Sequence, residues 1–516
     1  MNKFYLTTPL YYVNASPHIG HAYTNIIADC MARFRRMLGD DVFFLTGTDE
    51  HGEKIKKAAE ANKEDINVFV DRVSENFNKL WAELNISYDF YIRTTDTKHI
   101  DTVKTVIKVL QDKGDIYKAN YSAFYCVPCE SFWTETQVKE SGGCPDCKRD
   151  VEIIKEENYF FKLSKYQKWL IDYFKNNTDF VKPKTRYNEV LSFLEKNILE
   201  DLCISRPKKR VSWGVGFPEN DDYVVYVWFD ALINYISAAG YHTKKEEFKK
   251  FWPANIHFIG KDILRHHAVF WPIMLKALDV ELPETIYAHG WWKIGEEKIS
   301  KSRGNIVNPF DLISSLTTSL GNMESAVDAL RYFFLKEVSV GLDGNFSWLA
   351  LVNRINSDLA NDLGNLVFRT LNMGEKYLEG RITPISSEMP IKFKDNLEKL
   401  ESRYVDFMSN CEFSLALDDI FQFIGVINKY IEDTKPWVLW KEKKYDEMKN
   451  FLYSLVEGIR IISLYIYPVM PFTSLSIAKQ LGIDENCISL DKRSWSEVKE
   501  YIIEKGKPLF PRIDVE

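Results

Sequence analysis

The first forty-seven residues contain the feature that most restricts the fold. KFYLTTPLYYV, Lys3 to Val13, alternates and carries the β-formers of a strand. NIIADCMARFRRML follows at Asn25, with Ile26, Ile27, Cys30, Met31, Phe34, Met37 and Leu38 at helical spacing before Gly39 closes the helix. DVFFLTG, Asp41 to Gly47, is then a second strand. A strand, a helix and a strand in that order open a parallel sheet, because the helix carries the chain back to the starting end of the first strand. An α/β domain with a Rossmann-like sheet is therefore expected at the N-terminus.

Further along, DINVFVDRVSENFNKLWAEL and TKHIDTVKTVIKVLQDKG have apolar residues three and four apart, and the second ends at Gly114. From about 115 to 222 the composition changes, with Tyr, Lys and Gly and two cysteine pairs clustering, as in an insertion into the sheet domain. YVVYVWFDA, NIHFIG and TIYAHGWW are read as returning strands, the first two leading into helices. From Trp348 onward the helical period is almost unbroken through WLALVNRINSDLANDLGNLVFRTLNMG, CEFSLALDDIFQFIGVINKYIED and FLYSLVEGIRIISLYIYPVMP, which predicts an all-α bundle. The expected division is 1–114 and 223–290 for the two halves of the sheet domain, 115–222 for the insertion, 291–350 for a loop and stem, and 351–516 for the bundle.

At 516 residues the chain is too long for one core. Its net charge of -7 argues against a generally basic nucleic-acid coat, so any site for a polyanion must be local. The N-terminus lacks the apolar core of a signal peptide, and no run approaches the length of a membrane span. A cytoplasmic location with reduced thiols is expected.

Cys126-Val-Pro-Cys129 and Cys144-Pro-Asp-Cys147 are two CxxC pairs separated by fourteen residues. That spacing suits a tetrahedral zinc held by four thiolates, which leaves the ion no open position and makes its role structural. Cys30, Cys203, Cys411 and Cys487 are read as small core residues.

PHIGHAY, Pro17 to Tyr23, sets His18 and His21 around Gly20 where the first helix begins. A helix N-terminus with a close-approaching glycine favours an anion, and two donor-capable imidazoles add charge without bulk. Taken alone, a capped turn with two surface histidines explains the heptapeptide better. Far downstream, EEKISKSRGN places Lys298 and Lys301 on either side of Ser300. By itself that is a solvated basic loop.

As a pair, HIGH and KISKS are the two ATP signatures of the class I aminoacyl-tRNA synthetases, which the chain resembles from near Phe4 to its end. Within that class it looks most like the methionyl-tRNA synthetases. The stretches that carry the resemblance are PLYYVNASPHIGHAYTNIIAD, FLTGTDEHG, YVVYVWFDALINY, HFIGKDILRHHAVFWP, HGWWKIGEEKISKSRGNIVNP, DLANDLGNL and Lys435-Pro436-Trp437. Two departures are modest: Ile299 replaces the usual Met of KMSKS, and Gly216 stands where the family commonly has Pro.

The resemblance implies activation of L-methionine by ATP, accompanied by Mg²⁺, and transfer of the methionyl group to the 3′ end of tRNA(Met), initiator and elongator. His18, Gly20, His21, Lys298, Ser300 and Lys301 would then contact ATP. Leu10, Tyr12, Trp228, Leu232, Tyr235, Ile263 and His267 would form the slot for the thioether, a Tyr hydroxyl or His nitrogen offering the sulfur a weak hydrogen bond. Asp49, at a predicted strand's C-terminal end, would take the ammonium group. Asn361, Asn365 and Arg369, at i, i+4 and i+8 of one helix, together with Trp437, would read the anticodon. Arg206 to Arg210, RPKKR, either touch the tRNA backbone or form a solvated turn.

The branched-chain synthetases of this class carry an editing domain longer than the available segment, and a cysteinyl enzyme needs a zinc with a free position. A HIGH-bearing nucleotidyltransferase lacks the bundle and the cysteine pairs. A non-catalytic zinc-ribbon RNA-binding protein on a dead synthetase fold would show damaged ATP motifs. The chain stops soon after the bundle, without the appended domain that dimerises some members of the family, so a monomer is expected.

Overall fold

The alternating start of the chain forms strand β1, Lys3–Thr7, with a short continuation β2, Tyr11–Tyr12, and Asp41–Asp49 forms β3. Between them lies helix α1, Ile19–Met37. It ends because Gly39 takes φ 84°, a left-handed conformation that costs glycine little. This computed structural model describes residues 2–127, 131–133, 135–145, 147–294, 297–298, 307–386, 388–484 and 488–514.

Four further strands complete the main sheet among the described residues: β4, Phe90–Arg93; β5, Val181–Lys182; β6, Ile256–Gly260; and β7, Thr285–His289. Every pairing in this sheet is parallel, with β3 between β4 and β1, then β6, β7 and β5 in that order. The chain moves outward from β1 to β3 and β4, then returns to the other side of β1 through β6 and β7. The strand order therefore reverses between β1 and β6, and open α/β sheets bind ligands in the crevice beyond the carboxyl ends of the strands at such a point.

Segment 115–222 contains a separate antiparallel sheet and the helices Gln167–Asn176 and Lys184–Lys196. Ile116–Cys126 pairs with Ser131–Trp133 and Glu152–Phe161, and the last also with Leu202–Cys203. Midway the segment returns to lay β5 on the edge of the parallel sheet, Val181 opposite Ile286. The run YVVYVWFDA does not rejoin that sheet as a strand. Only Tyr223–Val225 is extended, paired antiparallel with Ser205–Pro207, and Val227–Leu232 turns helical at once. The aromatic and β-branched composition that reads as a strand instead packs into the core on one face of the sheet.

The opposite face of the sheet packs on α1 and helix Ile66–Glu83, and this core continues without a break into the C-terminal helices. These include Met323–Lys336, Asn365–Leu378, Ile391–Ser409, Phe413–Thr434 and Tyr445–Ile466. A buried charge cluster pins the seam. Arg331 donates to Asp29 of α1 at 2.6 Å and to the carbonyls of Val469, Leu84 and Pro468 at 2.8, 3.2 and 3.0 Å. Asp29 also accepts from Arg33 at 2.7 Å and from the Ser87 amide and hydroxyl at 2.6 Å each. Among the described residues, no helix is long and apolar enough to cross a membrane.

Candidate functional site

A cavity of about 740 Å³ opens at the switch point, beyond the ends of β1 and β6. Pro9, Leu10 and Tyr12 enter it after β1, Asp49 from the end of β3, and Gly260 and Ile263 after β6. His18, Gly20 and His21 line it from the start of α1. The short helix Val227–Leu232 and its continuation supply Trp228, Leu232 and Tyr235. His267 completes the set. Every described side chain expected to contact the amino acid or the HIGH end of the nucleotide thus lies on one cavity.

The start of α1 is built by its two histidines. His18 is the N-cap, and its Nδ1 accepts from the Gly20 amide at 3.1 Å, while Nδ1 of His21 accepts from the His18 amide at 3.2 Å. This is a capping box made of imidazoles. The rings stack, with centroids 3.7 Å apart, over Gly20, where an added Cβ would lie 2.9 Å from Cε1 of His18. A nitrogen that accepts a backbone hydrogen bond carries no proton, so each ring is neutral with its N–H at Nε2. The pair therefore contributes hydrogen-bond donors and the positive end of the helix rather than the full charge expected from the sequence.

The floor of the slot is likewise hydrogen-bonded. Nδ1 of His267 faces the Ile263 carbonyl at 3.0 Å, which places the proton there, and Nε2 lies 2.7 Å from the Tyr235 hydroxyl. Burial pushes His267 down to about 4 and raises Tyr235, so both are neutral. The Tyr235 proton is directed to His267. Of the slot's Tyr and His donors, these two are thus already spent within the protein, and they offer ring faces and an oxygen lone pair instead. Trp228 stacks on His266, centroids 3.8 Å apart, and burial holds that imidazole down at about 3. His266 lines the cavity and was missed in the sequence, although the His-His doublet after the β6 strand was a signal for it.

Thr24, His289 and Trp291 were missed too. Thr24 Oγ1 is 2.8 Å from Nε2 of His289, the last residue of β7, so the HG of HGWW sits at a strand's C-terminal end, where sheet ligands gather. Trp292 on the cavity wall begins the strand Trp292–Ile294, in which Lys293 lies opposite Lys298 in an antiparallel pairing. Ser300 and Lys301 lie outside the described residues.

Cys126, Cys144 and Cys147 bring their sulfurs within 4.8 Å of one another. Cys126 and Cys147 are 3.5 Å apart, too far for a disulfide and close to the sulfur spacing of about 3.8 Å that four Zn–S bonds of about 2.3 Å impose. This set could hold a metal ion, and Cys147 also reaches the rim of the large cavity. Cys129 lies outside the described residues, as does Cys487. Cys30, Cys203 and Cys411 are buried and free of disulfides.

In the helical region Asn361 and Asn365 are exposed, but Ile355–Gly364 is π-helical, so the two do not keep the α-helical register assumed for them. Asn361 lies in a groove with Asn353, Arg354, Ser357 and Arg512. Arg369 instead pairs with Glu432 at 2.7 Å. Trp437, on the following short helix Pro436–Lys441, is 53% exposed. Arg206 is not available to a polyanion: it is buried against the rings of Tyr125 and Tyr226 and donates to the carbonyls of Cys203 and Ser205.

Residues 4–153 and 148–371 match the family model for tRNA synthetases class I (M), and 393–509 match the anticodon-binding domain of tRNA ligase. The methionine–tRNA ligase of Caldanaerobacter subterraneus is 46% identical, over 99% of this chain and 79% of that protein. The chain belongs to the methionyl-tRNA synthetase family of class I. The ligase of Thermotoga maritima is 43% identical over 99% of this chain and 80% of its own length. A crystal structure of Mycobacterium tuberculosis methionyl-tRNA synthetase bound by methionyl-adenylate matches this synthetase fold with a TM-score of 0.91 at 40% identity, covering 99% of this chain and 100% of that one. The free form of the same protein gives 0.86 at 38% identity, over 100% and 99%.

Proposed function

We propose that this chain ligates methionine to tRNA(Met) in two steps, both centred on the cavity at the switch point. In the first, the methionine carboxylate attacks the α-phosphorus of ATP, forming methionyl-adenylate and releasing pyrophosphate. The nucleophile is already ionised at neutral pH, so the site needs no general base; it must position the reactants and stabilise charge moving to the leaving group. The Nε2–H groups of His18 and His21 and the start of α1 suit the phosphates, and Lys298, Ser300 and Lys301 would close over them. Mg²⁺ enters with the nucleotide as part of the substrate. In the second step a ribose hydroxyl of the tRNA 3′ end displaces AMP.

Asp49 takes the ammonium group. Leu10, Tyr12, Trp228, Leu232, Tyr235, Ile263 and His267 hold the thioether by apolar and ring contacts, Tyr235 and His267 without donating a hydrogen bond to it. Cys126, Cys129, Cys144 and Cys147 would hold a structural zinc. Asn361, Asn365, Arg369 and Trp437 face the anticodon, Trp437 as a stacking surface.

One observation carries this reading: a carboxylate, an aromatic slot and a donor-bearing helix N-terminus line the same cavity. The test is ATP–pyrophosphate exchange with methionine, leucine, isoleucine, valine and cysteine offered separately. Exchange with methionine alone is expected. Exchange with leucine but not methionine would overturn the substrate, and a folded, active sample free of zinc would remove the metal from the account.

A further inference from the structure

The turn that carries Asp49 is held on both sides. Glu50 is gripped by Arg93 at 2.6 and 2.9 Å, by Thr95 at 2.5 Å and by Thr48 at 2.8 Å. The Nδ1 of His51 meets the Asp230 carboxylate at 2.7 Å. The second oxygen of Asp230 meets Nε2 of His99, on helix Thr97–Asp112, at 2.8 Å. Asp230 and His99 are fully buried and His51 is 5% exposed. Burial alone would push the Asp230 carboxyl up, but the two imidazoles outweigh it and hold the group below the ordinary carboxylate range.

Asp230 belongs to the six-residue helix Val227–Leu232, the same helix that presents Trp228 and Leu232 to the cavity. So short a helix has no stability of its own, and its position depends on what it is tied to. The turn after β3 is equally short. Burying a carboxylate is costly unless it is paired, and an apolar residue would fill the same place more cheaply if packing were its only task. One Asp230 oxygen joins the segment that carries the slot to the segment that carries Asp49, and the other anchors that junction to helix Thr97–Asp112 through His99.

We propose that Asp230 is a positioning residue for methionine activation, which through His51 sets the distance between the Asp49 carboxylate and the wall formed by Trp228 and Leu232. The amino-acid chain must span that distance with its ammonium group at one end and its thioether at the other. The inference rests on the assignment of Asp49 to the ammonium group. Displacing a binding group by about an ångström costs on the order of a hundredfold in well-positioned sites, so a partial slackening is expected to cost about tenfold.

The experiment uses the full-length enzyme in ATP–pyrophosphate exchange, with Asp230→Asn, His51→Ala, His51→Asn and Asp49→Asn compared. Asp230→Asn and His51→Ala are expected to raise the KM for methionine about tenfold while the KM for ATP stays within about twofold, a split that general loss of structure does not produce. Both should also alter the preference for methionine over the longer ethionine. His51→Asn keeps an N–H near the position of Nδ1 and should restore most of the methionine KM, which keeps the test open if Asp230→Asn fails to fold. Unchanged methionine KM in His51→Ala, equal loss toward both substrates, or no rescue by His51→Asn would overturn the proposal. If Asp49→Asn raises the methionine KM and the other variants do not, the positioning role alone fails. If Asp49→Asn leaves it unchanged, the ammonium assignment fails as well.

Discussion

In the cavity, Tyr235, His267, Thr24 and His289 are joined in hydrogen-bonded pairs, and His18 and His21 spend one nitrogen each on the helix end. On the helical region, Trp437 is 53% exposed, and Trp440 and Phe368 are 38% exposed. A small ligand is bound by surrounding it, which demands that the protein's own polar groups be satisfied first. An unpaired base is bound by stacking on a surface already in water, so exposed rings cost little before the partner arrives. The two regions nevertheless share one core, and the charged seam at Asp29 and Arg331 is where they are joined.

The strongest way to break the comparison is to cut that seam. Arg331→Leu leaves Asp29 with one guanidinium instead of two and strips donors from three backbone carbonyls. A loss of about 3–5 kcal/mol in unfolding free energy is expected. Denaturation followed by both tryptophan fluorescence and activity checks it, and a loss below 1 kcal/mol would show, on the scale expected for a broken buried pair, that the seam is dispensable.

Lys301→Ala and Trp437→Ala separate the regions functionally. The first should slow adenylate formation about 10²–10³-fold, the usual loss for one stabilising group at a developing charge, while methionine binding by calorimetry changes little. The second should leave exchange intact and reduce kcat/KM for tRNA by about 1–3 kcal/mol, the value of one stacked base. If either variant impaired both assays equally, the two regions would not be functionally separable.

The smallest effect concerns Asp328, buried beside the seam. One oxygen accepts from the Thr473 amide at 2.6 Å and the other has no hydrogen-bond partner, and burial raises its carboxyl to about 7. Its folded value lies above that of an unfolded carboxylate. The stability it provides is therefore full below about pH 4 and lost as pH rises through about 7. Asp328→Asn, which keeps an acceptor for Thr473, should gain about 1–2 kcal/mol over the parent near pH 8.5 and almost nothing near pH 4. Equal melting shifts at both values would refute the assignment.

Much of the active centre could be read directly from the chain. HIGH, GTDEHG and WFDALINY each mark a place where a strand ends or a helix begins, and local backbone chemistry dictates such places. The cysteine pairs were legible for the same reason, since ligand spacing is a local property. His266, Thr24 and His289 were not legible as site residues, because each is ordinary in its own segment and becomes part of a site only when β6, α1 and β7 converge. The local geometry at Asn361 was not legible, because the i, i+4, i+8 rule presumes an α-helix throughout and the turn at Ile355–Gly364 is wider.

The sequence by itself determined the parallel opening unit, the helical C-terminal region and the spacing that brings the cysteines together. All of these follow from periodicity and short-range spacing. Only the tertiary structure decided that the Tyr235 hydrogen is committed to His267, and that Asp230 ties the two ends of the slot together. Those facts depend on atoms brought together from 32 to 179 positions apart in the chain, and no local pattern encodes the meeting of such distant side chains.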